Sequence, residues 1–211
     1  THPLRCYAFL ELAIAMTGVG LVLLLPLLNV LLVPLFRLMV DRPVLINVTR
    51  LAIGFVLLLV PSISMGATLP VLVKGLRANS ENFGSVLGIL YGVNTLGAVA
   101  GVLIEEFYLI GLLGLKGTAL AAGGANLLAA GMALWMEQSW SGVLTQPLIK
   151  QVKLSGSAKR LLVTAFLLGG ILLALEVIWF RYMLLFTGGT SRTFAVMLAV
   201  VLVGIGVGGL I

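Results

Sequence analysis

The sequence predicts an all-α membrane protein, a polytopic bundle of about six transmembrane helices. Of its 211 residues, 61% are hydrophobic and only 9% are charged, whereas charged residues make up about 25% of an ordinary soluble domain. The mean hydropathy is +1.21, and a soluble core of this size cannot hide that much apolar surface. Lipid is therefore the expected solvent. A disulfide scaffold is excluded because Cys6 is the only cysteine.

The spans are predicted from runs of about 20 residues that carry almost no charge, the length that crosses a hydrocarbon core. Residues 1–136 are expected to form a group of four spans, and residues 160–211 two more, with 137–159 as a cytoplasmic connecting loop. The predicted spans are at about 7–28, 45–66, 84–106, 116–136, 160–183 and 191–211.

The first apolar run, Leu12 to Phe36, is longer than one span needs. Pro26, Asn29 and Pro34 favour a helix end near residue 28, which leaves residues 29–44 as an external connection. The alternative is one long, tilted helix with a kink at Pro26.

The distribution of Lys and Arg predicts the orientation. With the N-terminus in the cytoplasm, seven of the 13 basic residues fall on the inner side, four of them between residues 137 and 160. We therefore expect the N-terminus and the 137–159 loop to be cytoplasmic, in a bacterial inner membrane. The expected partners are the bilayer and other transmembrane helices of the same or neighbouring chains. Nucleic acid is not expected, because the basic residues form no continuous stripe.

Both ends are expected to be truncated, because the chain opens without Met and stops inside an apolar run. We therefore interpret it as the interior of a longer polypeptide.

Two sets of segments are distinctive. The first is Gly66–Pro70 (GATLP) followed by residues 87–101 (LGILYGVNTLGAVAG). The second is residues 175–181 (LEVIWFR), a Gly-Gly-Thr-Ser turn at 188–191, and a glycine-punctuated run that ends in Gly204-Ile205-Gly206-Val207-Gly208. Together they resemble the membrane part of the fused major-facilitator/spermidine-synthase-like proteins, and the two stretches that contain them, 66–101 and 175–208, make up about a third of the chain.

The resemblance implies a major-facilitator plan in which the six spans correspond to helices three to eight. The 137–159 loop would then join the two six-helix halves. The catalytic part of that family is a Rossmann-like aminopropyltransferase domain that uses decarboxylated S-adenosylmethionine. No such domain lies in this sequence, so no catalytic residue and no cofactor is assigned to this chain.

Three polar residues inside predicted spans are candidate substrate-binding groups: Glu176, Glu11 and Asn94. A charge near the bilayer centre costs at least about 2.5 kcal/mol, so each carboxylate should face protein or water. The two glutamates would face a cavity and hold a cationic ligand such as a polyamine. Alternatively, each is interfacial, protonated or bonded to a neighbouring helix. Asn94 bonds across helices or contacts substrate.

The spacing of the glycines predicts close helix packing. Where glycines line one face of a helix, no side chain keeps a neighbouring helix away, so the two backbones can approach closely in lipid. The predicted packing residues are Gly84, Gly88, Gly92, Gly97, Gly101, Gly204 and Gly208. They would form either a sliding interface for alternating access or a static contact. No metal site is predicted, because His2 is the only histidine and Cys6 the only cysteine.

Three functions remain open from the sequence. The chain is a membrane domain that anchors or supplies a spermidine-synthase-like transferase, a major-facilitator-type transporter of a small, cationic solute, or a structural subunit of a larger membrane complex. The resemblance favours the first.

Overall fold

The computed structural model describes residues 2–76, 83–139 and 156–211, and every regular element in these ranges is helical. The elements are, in order, α1 (Pro3–Arg37), α2 (Pro43–Leu76), α3 (Phe83–Ile104), a π-helical turn (Glu105–Leu109), α4 (Ile110–Ser139), α5 (Gly156–Met183) and α6 (Ser191–Leu210). The all-α class is confirmed for these residues. Most of the predicted 137–159 loop lies outside the described residues.

Five helical stretches of the described chain are long and apolar enough to cross a membrane, whereas the sequence predicts about six. The difference arises between 84 and 138, where the third and fourth predicted spans form one stretch of 55 residues. No proline and no Asn or Asp follows Glu105 to end a helix there, and the chain continues through the π turn. This stretch is much longer than one bilayer crossing needs, but it is not one continuous helix.

Gly114 interrupts this stretch. Its backbone has φ 64° and ψ −179°, a conformation that is open essentially only to glycine. The helical path is therefore broken four residues into α4, close to the beginning of the predicted span at 116.

Helix α1 runs for 35 residues and passes through Pro26 and Pro34. The expectation that it ends near residue 28 is therefore wrong, and one long helix, the alternative, is observed. Each proline removes only one backbone hydrogen bond, whereas ending the helix in lipid would leave several N–H and C=O groups without partners. A short turn over residues 38–42 then leads into α2, so α1 and α2 form an antiparallel hairpin.

Hydroxyl groups inside the apolar helices bond back to their own backbone. Thr17 donates to the Ala13 carbonyl, Ser64 to Val60 and Thr95 to Tyr91. These i−4 bonds satisfy a buried hydroxyl without a neighbouring helix. The Thr95 hydroxyl therefore has its acceptor within α3 itself.

The helices group into two compact units. The first comprises residues 1–83 and 112–145, and the second comprises 84–111 and 146–211. Helix α3 therefore belongs with α5 and α6, whereas the sequence predicts a group of four spans followed by a group of two. The grouping differs from the prediction because α3 packs against α6, which lies much later in the sequence.

In the first unit, α1 packs on α4 through alanine. Ala8 of α1 forms a small core with Ala130 and Ala133 of α4, and the buried face of α1 continues through Glu11 and Ala15. A Cβ at Gly123 of α4 would lie 2.6 Å from a methyl carbon of Val19. Small side chains thus allow the two helices to approach closely.

In the second unit, α3 and α6 pack antiparallel through glycine. A Cβ at Gly88 would lie 2.6 Å from the Gly209 carbonyl oxygen, and one at Gly92 would lie 3.0 Å from the Gly206 carbonyl oxygen. Gly88 and Gly92 therefore lie in a close helix–helix contact, as their spacing predicts. At the other predicted packing glycines, a Cβ would meet no heavy atom within 4 Å: Gly84, Gly97, Gly101, Gly204 and Gly208. On α6 the contact uses Gly206 and Gly209 instead, because they occupy the opposite side of the helix from Gly204 and Gly208.

The outside of both units is apolar. In α5, every residue from Leu161 to Leu175 is exposed, including Phe166 at 80%. A helix that is hydrophobic on all sides requires lipid or other apolar helices around it. Contact with the lipid bilayer and an integral membrane location follow from this surface.

Candidate functional site

Glu176 lies on the side of α5 that faces α6. Glu176, Phe180 and Met183 follow helical spacing and are the half-buried residues at this end of α5. Phe180 contacts Phe194 of α6 edge-to-face, with 5.4 Å between ring centroids. The Glu176 carboxylate forms no hydrogen bond or ion pair with any described residue. Arg181, five residues further on, is exposed and does not pair with it.

Glu11 is buried within the first unit, with 7% of its surface exposed. It lies on the same face of α1 as Ala8, which contacts α4. Tyr7 lies one turn earlier on the same helix, and its hydroxyl is close enough to interact with the Glu11 carboxylate. This neighbour belongs to α1 itself, whereas the alternative interpretation expects a bond to a neighbouring helix.

Asn94 is exposed on α3, whereas its neighbour Thr95 is buried. The α6 contact of α3 is on the face of Gly88 and Gly92, so Asn94 points elsewhere. Of the three predicted substrate residues, Glu176 and Asn94 belong to the second unit and Glu11 to the first. Neither unit therefore brings all three together.

A polar cluster that the sequence did not predict connects the π turn to the start of α6. The Ser191 hydroxyl donates to Oε1 of Glu106 at 2.7 Å, between residues 85 positions apart in sequence. Glu106 is half-buried and Glu105 is exposed. Glu105 therefore lies on the surface, whereas Glu106 has a partner at the start of α6. Helix N-termini favour a nearby negative charge, which explains why Glu106 lies there.

Threonine hydroxyls complete this cluster at the α5–α6 turn. Thr193 donates to the Thr187 hydroxyl at 3.1 Å and lies 3.4 Å from the Thr190 hydroxyl, while Thr187 donates to the Met183 carbonyl. π-Helical turns frequently occur at functional sites. The polar turn Gly188–Ser191, followed by the start of α6, was the one sign of this cluster in the sequence. Nothing in the sequence connects that turn to Glu106.

In the first unit, the buried carboxylate of Glu137 lies between a histidine and an arginine side chain. Oε1 of Glu137 is 2.9 Å from Nδ1 of His2 and 2.9 Å from Nε of Arg5. The distances are those of ion pairs, but the angles are not those of hydrogen bonds, and neither carboxylate oxygen has a hydrogen-bond partner among the described residues. This cluster connects the beginning of α1 to the end of α4.

We expect Arg5→Gln to destabilise the chain, because it removes a cation from the buried Glu137 carboxylate. Removing one partner of a fully buried pair costs about 3–5 kcal/mol, but the Arg5 side chain is 60% exposed, so we expect roughly 1 kcal/mol. The free energy of unfolding in detergent, measured by SDS titration, checks this value.

A double-mutant cycle supplies the control. Arg5→Gln combined with Glu137→Gln should cost less than the sum of the single changes, whereas Arg42→Gln should be additive with Glu137→Gln. If the changes in unfolding free energy for Arg5→Gln and Glu137→Gln simply add, the ion pair contributes nothing to stability.

Comparison with known proteins gives no match: no family model, no curated protein and no solved structure is similar to this chain. Nor do the described residues contain a group of three or more His, Cys, Asp or Glu side chains arranged to hold a metal ion.

Proposed function

We propose that this chain is the membrane domain of a spermidine-synthase-like protein, and that it anchors or supplies a soluble aminopropyltransferase domain. The observation that carries the proposal is the packing of the two segments on which the resemblance rests. Gly88 and Gly92 belong to the first segment, and Gly206 belongs to the second, more than a hundred residues later. The backbones of these segments lie against each other in one unit, as expected if the segments are one functional element.

On this proposal the helices follow a major-facilitator plan and correspond to helices three to eight. The N-terminus and the 137–159 segment lie in the cytoplasm of a bacterium, and further helices cover the apolar outside. Decarboxylated S-adenosylmethionine and the catalytic residues belong to the soluble domain. The lysine-containing segment 150–160 gives the cytoplasmic side its positive charge.

The test is made on the complete reading frame. We expect the sequence beyond Ile211 to encode a Rossmann-like domain, and the full-length protein, purified in detergent, to transfer an aminopropyl group from decarboxylated S-adenosylmethionine to a diamine. A reading frame that has no such domain would contradict the proposal, as would a full-length protein that forms no polyamine product.

A transporter of major-facilitator type is the second candidate, and Glu176 is the observation that favours it. This carboxylate is half-buried, carries the only charge between Leu161 and Phe180, and forms no hydrogen bond or ion pair with any described residue. Such carboxylates in spans often bind protons or cations that cross the membrane. Uptake of labelled spermidine by liposomes that contain the full-length protein, abolished in Glu176→Gln, would support transport, whereas uptake equal to protein-free liposomes would exclude it for this solute.

A structural subunit is the third candidate, favoured by the exposed apolar surface of α5. It predicts foreign transmembrane chains that copurify with this one in constant stoichiometry.

A further inference from the structure

Three arginines lie at the end of the α1–α2 hairpin where the turn joins the two helices. Arg37 ends α1, Arg42 closes the turn, and Arg50 lies two helical turns into α2. Backbone hydrogen bonds fix the turn: the Met39 amide donates to the Phe36 carbonyl and the Arg42 amide to Met39, at 3.1 and 2.9 Å. The cationic side chains therefore project from an ordered scaffold.

Two side-chain contacts set the register of the hairpin. The Arg50 guanidinium lies over the Phe36 ring, 5.1 Å from its centroid, and the Thr49 hydroxyl lies 3.7 Å from the Met39 sulfur. Arg50 is thus level with Arg37, the neighbour of Phe36. The charge-free run Leu12–Phe36 ends at this level and the run Leu51–Val73 begins there, so both arginines mark the border of the membrane-spanning part.

The positive charge at this border is not neutralised. Arg37, Arg42 and Arg50 are exposed and form no ion pair with any residue in the described ranges. Asp41 is the only acidic residue between positions 37 and 50, so this segment has a net charge of +2 (three arginines minus one aspartate).

Large apolar side chains are exposed at the same end of the hairpin. Leu38 is 86% exposed and Val44 75%, and Val40 and Val48 are also exposed. A soluble acidic protein would neutralise the arginines but leave these side chains in water. An anionic phospholipid fits both features, because its phosphate can accept bidentate hydrogen bonds from arginine while its acyl chains cover the apolar residues.

We propose that the end of the α1–α2 hairpin is a binding site for the phosphate headgroup of anionic phospholipids, formed by Arg37, Arg42 and Arg50. This site is independent of the proposed function. It anchors one end of the first unit at a fixed depth in the bilayer, with Leu38 and Val44 in the interfacial region.

The experiment compares lipid retention by native mass spectrometry of the detergent-purified protein, titrated with phosphatidylglycerol or phosphatidylcholine. Each arginine near a charged surface contributes about fivefold, so the triple variant R37Q/R42Q/R50Q should bind phosphatidylglycerol roughly 100-fold more weakly. Phosphatidylcholine should bind weakly to both proteins. The triple variant R37K/R42K/R50K, which keeps the charge, should recover most of the affinity but less than the wild type.

The control is K116Q/R181Q/R192Q, which removes the same charge from exposed positions elsewhere and should change phosphatidylglycerol affinity less than about threefold. Far-UV circular dichroism confirms that each variant keeps its helix content. The proposal is overturned if R37Q/R42Q/R50Q binds as tightly as the wild type, if the control variant loses as much affinity, or if the wild type does not distinguish the two lipids.

Discussion

Gly88→Ala should destabilise the second unit by about 1–3 kcal/mol, the usual cost of overpacking a close contact. The added methyl group would lie 2.6 Å from the Gly209 carbonyl oxygen, which is backbone and cannot rotate away. Helices α3 and α6 would have to separate, which weakens the adjacent contact of Gly92 with Gly206 and Leu210. SDS titration monitored by far-UV circular dichroism measures the change in the free energy of unfolding.

Gly97→Ala is the matched control, because it makes the same chemical change on the same helix where nothing lies within 4 Å. Alanine has a helix propensity up to about 1 kcal/mol better than glycine, so this variant should be neutral or slightly more stable. Equal destabilisation by both substitutions would show that the cost comes from helix α3 alone, and that the close approach to α6 does not exist.

If the chain binds a polyamine through Glu176, as the transporter proposal requires, Glu176→Gln should lower the affinity of the purified protein for spermidine by at least about tenfold, or roughly 1.4 kcal/mol. The substitution keeps the shape of the side chain and removes its negative charge, which lies half-buried in an apolar helix. A cation bound there is attracted more strongly than it would be in water, because the local dielectric constant is low. Isothermal titration calorimetry in detergent measures the affinity.

Glu105→Gln is the control for this experiment. Glu105 is an exposed carboxylate, so its removal should leave spermidine affinity within about twofold, since exposed charges are well screened. If Glu176→Gln binds spermidine as tightly as the wild type, Glu176 is not a polyamine ligand. A decrease of the same size in both variants would indicate general charge attraction rather than a site.

Hydropathy predicted which parts of the chain form apolar helices, because lipid leaves few alternatives to a helix for an uncharged run. It did not predict where helices stop. Pro26 was expected to end α1 and does not, since one lost hydrogen bond is a small perturbation in a 35-residue helix. Residues 107–115 were expected to separate two spans and are helical except at Gly114, because that segment contains no proline, asparagine or aspartate to end a helix.

Tertiary partners were less predictable than helices. Spacing placed Gly88 and Gly92 on one face of α3, but it could not distinguish that face from the one with Gly97 and Gly101, since both have the small-xxx-small pattern. On α6, the chosen face contains Gly206 and Gly209. The contact between Glu106 and Ser191 joins residues 85 positions apart, and only the antiparallel pairing of α3 and α6 brings them together.

The most direct measurement of whether these helices occupy lipid is extraction of membranes that contain the expressed chain. Apolar side chains such as Phe166 are exposed on the outside of the structure, and burying each in lipid rather than water contributes about 1.5–3 kcal/mol. The chain should therefore stay in the membrane pellet after washing with alkaline carbonate and enter solution only with detergent. Recovery in the carbonate supernatant as a folded, detergent-free monomer would contradict a membrane-embedded helical bundle.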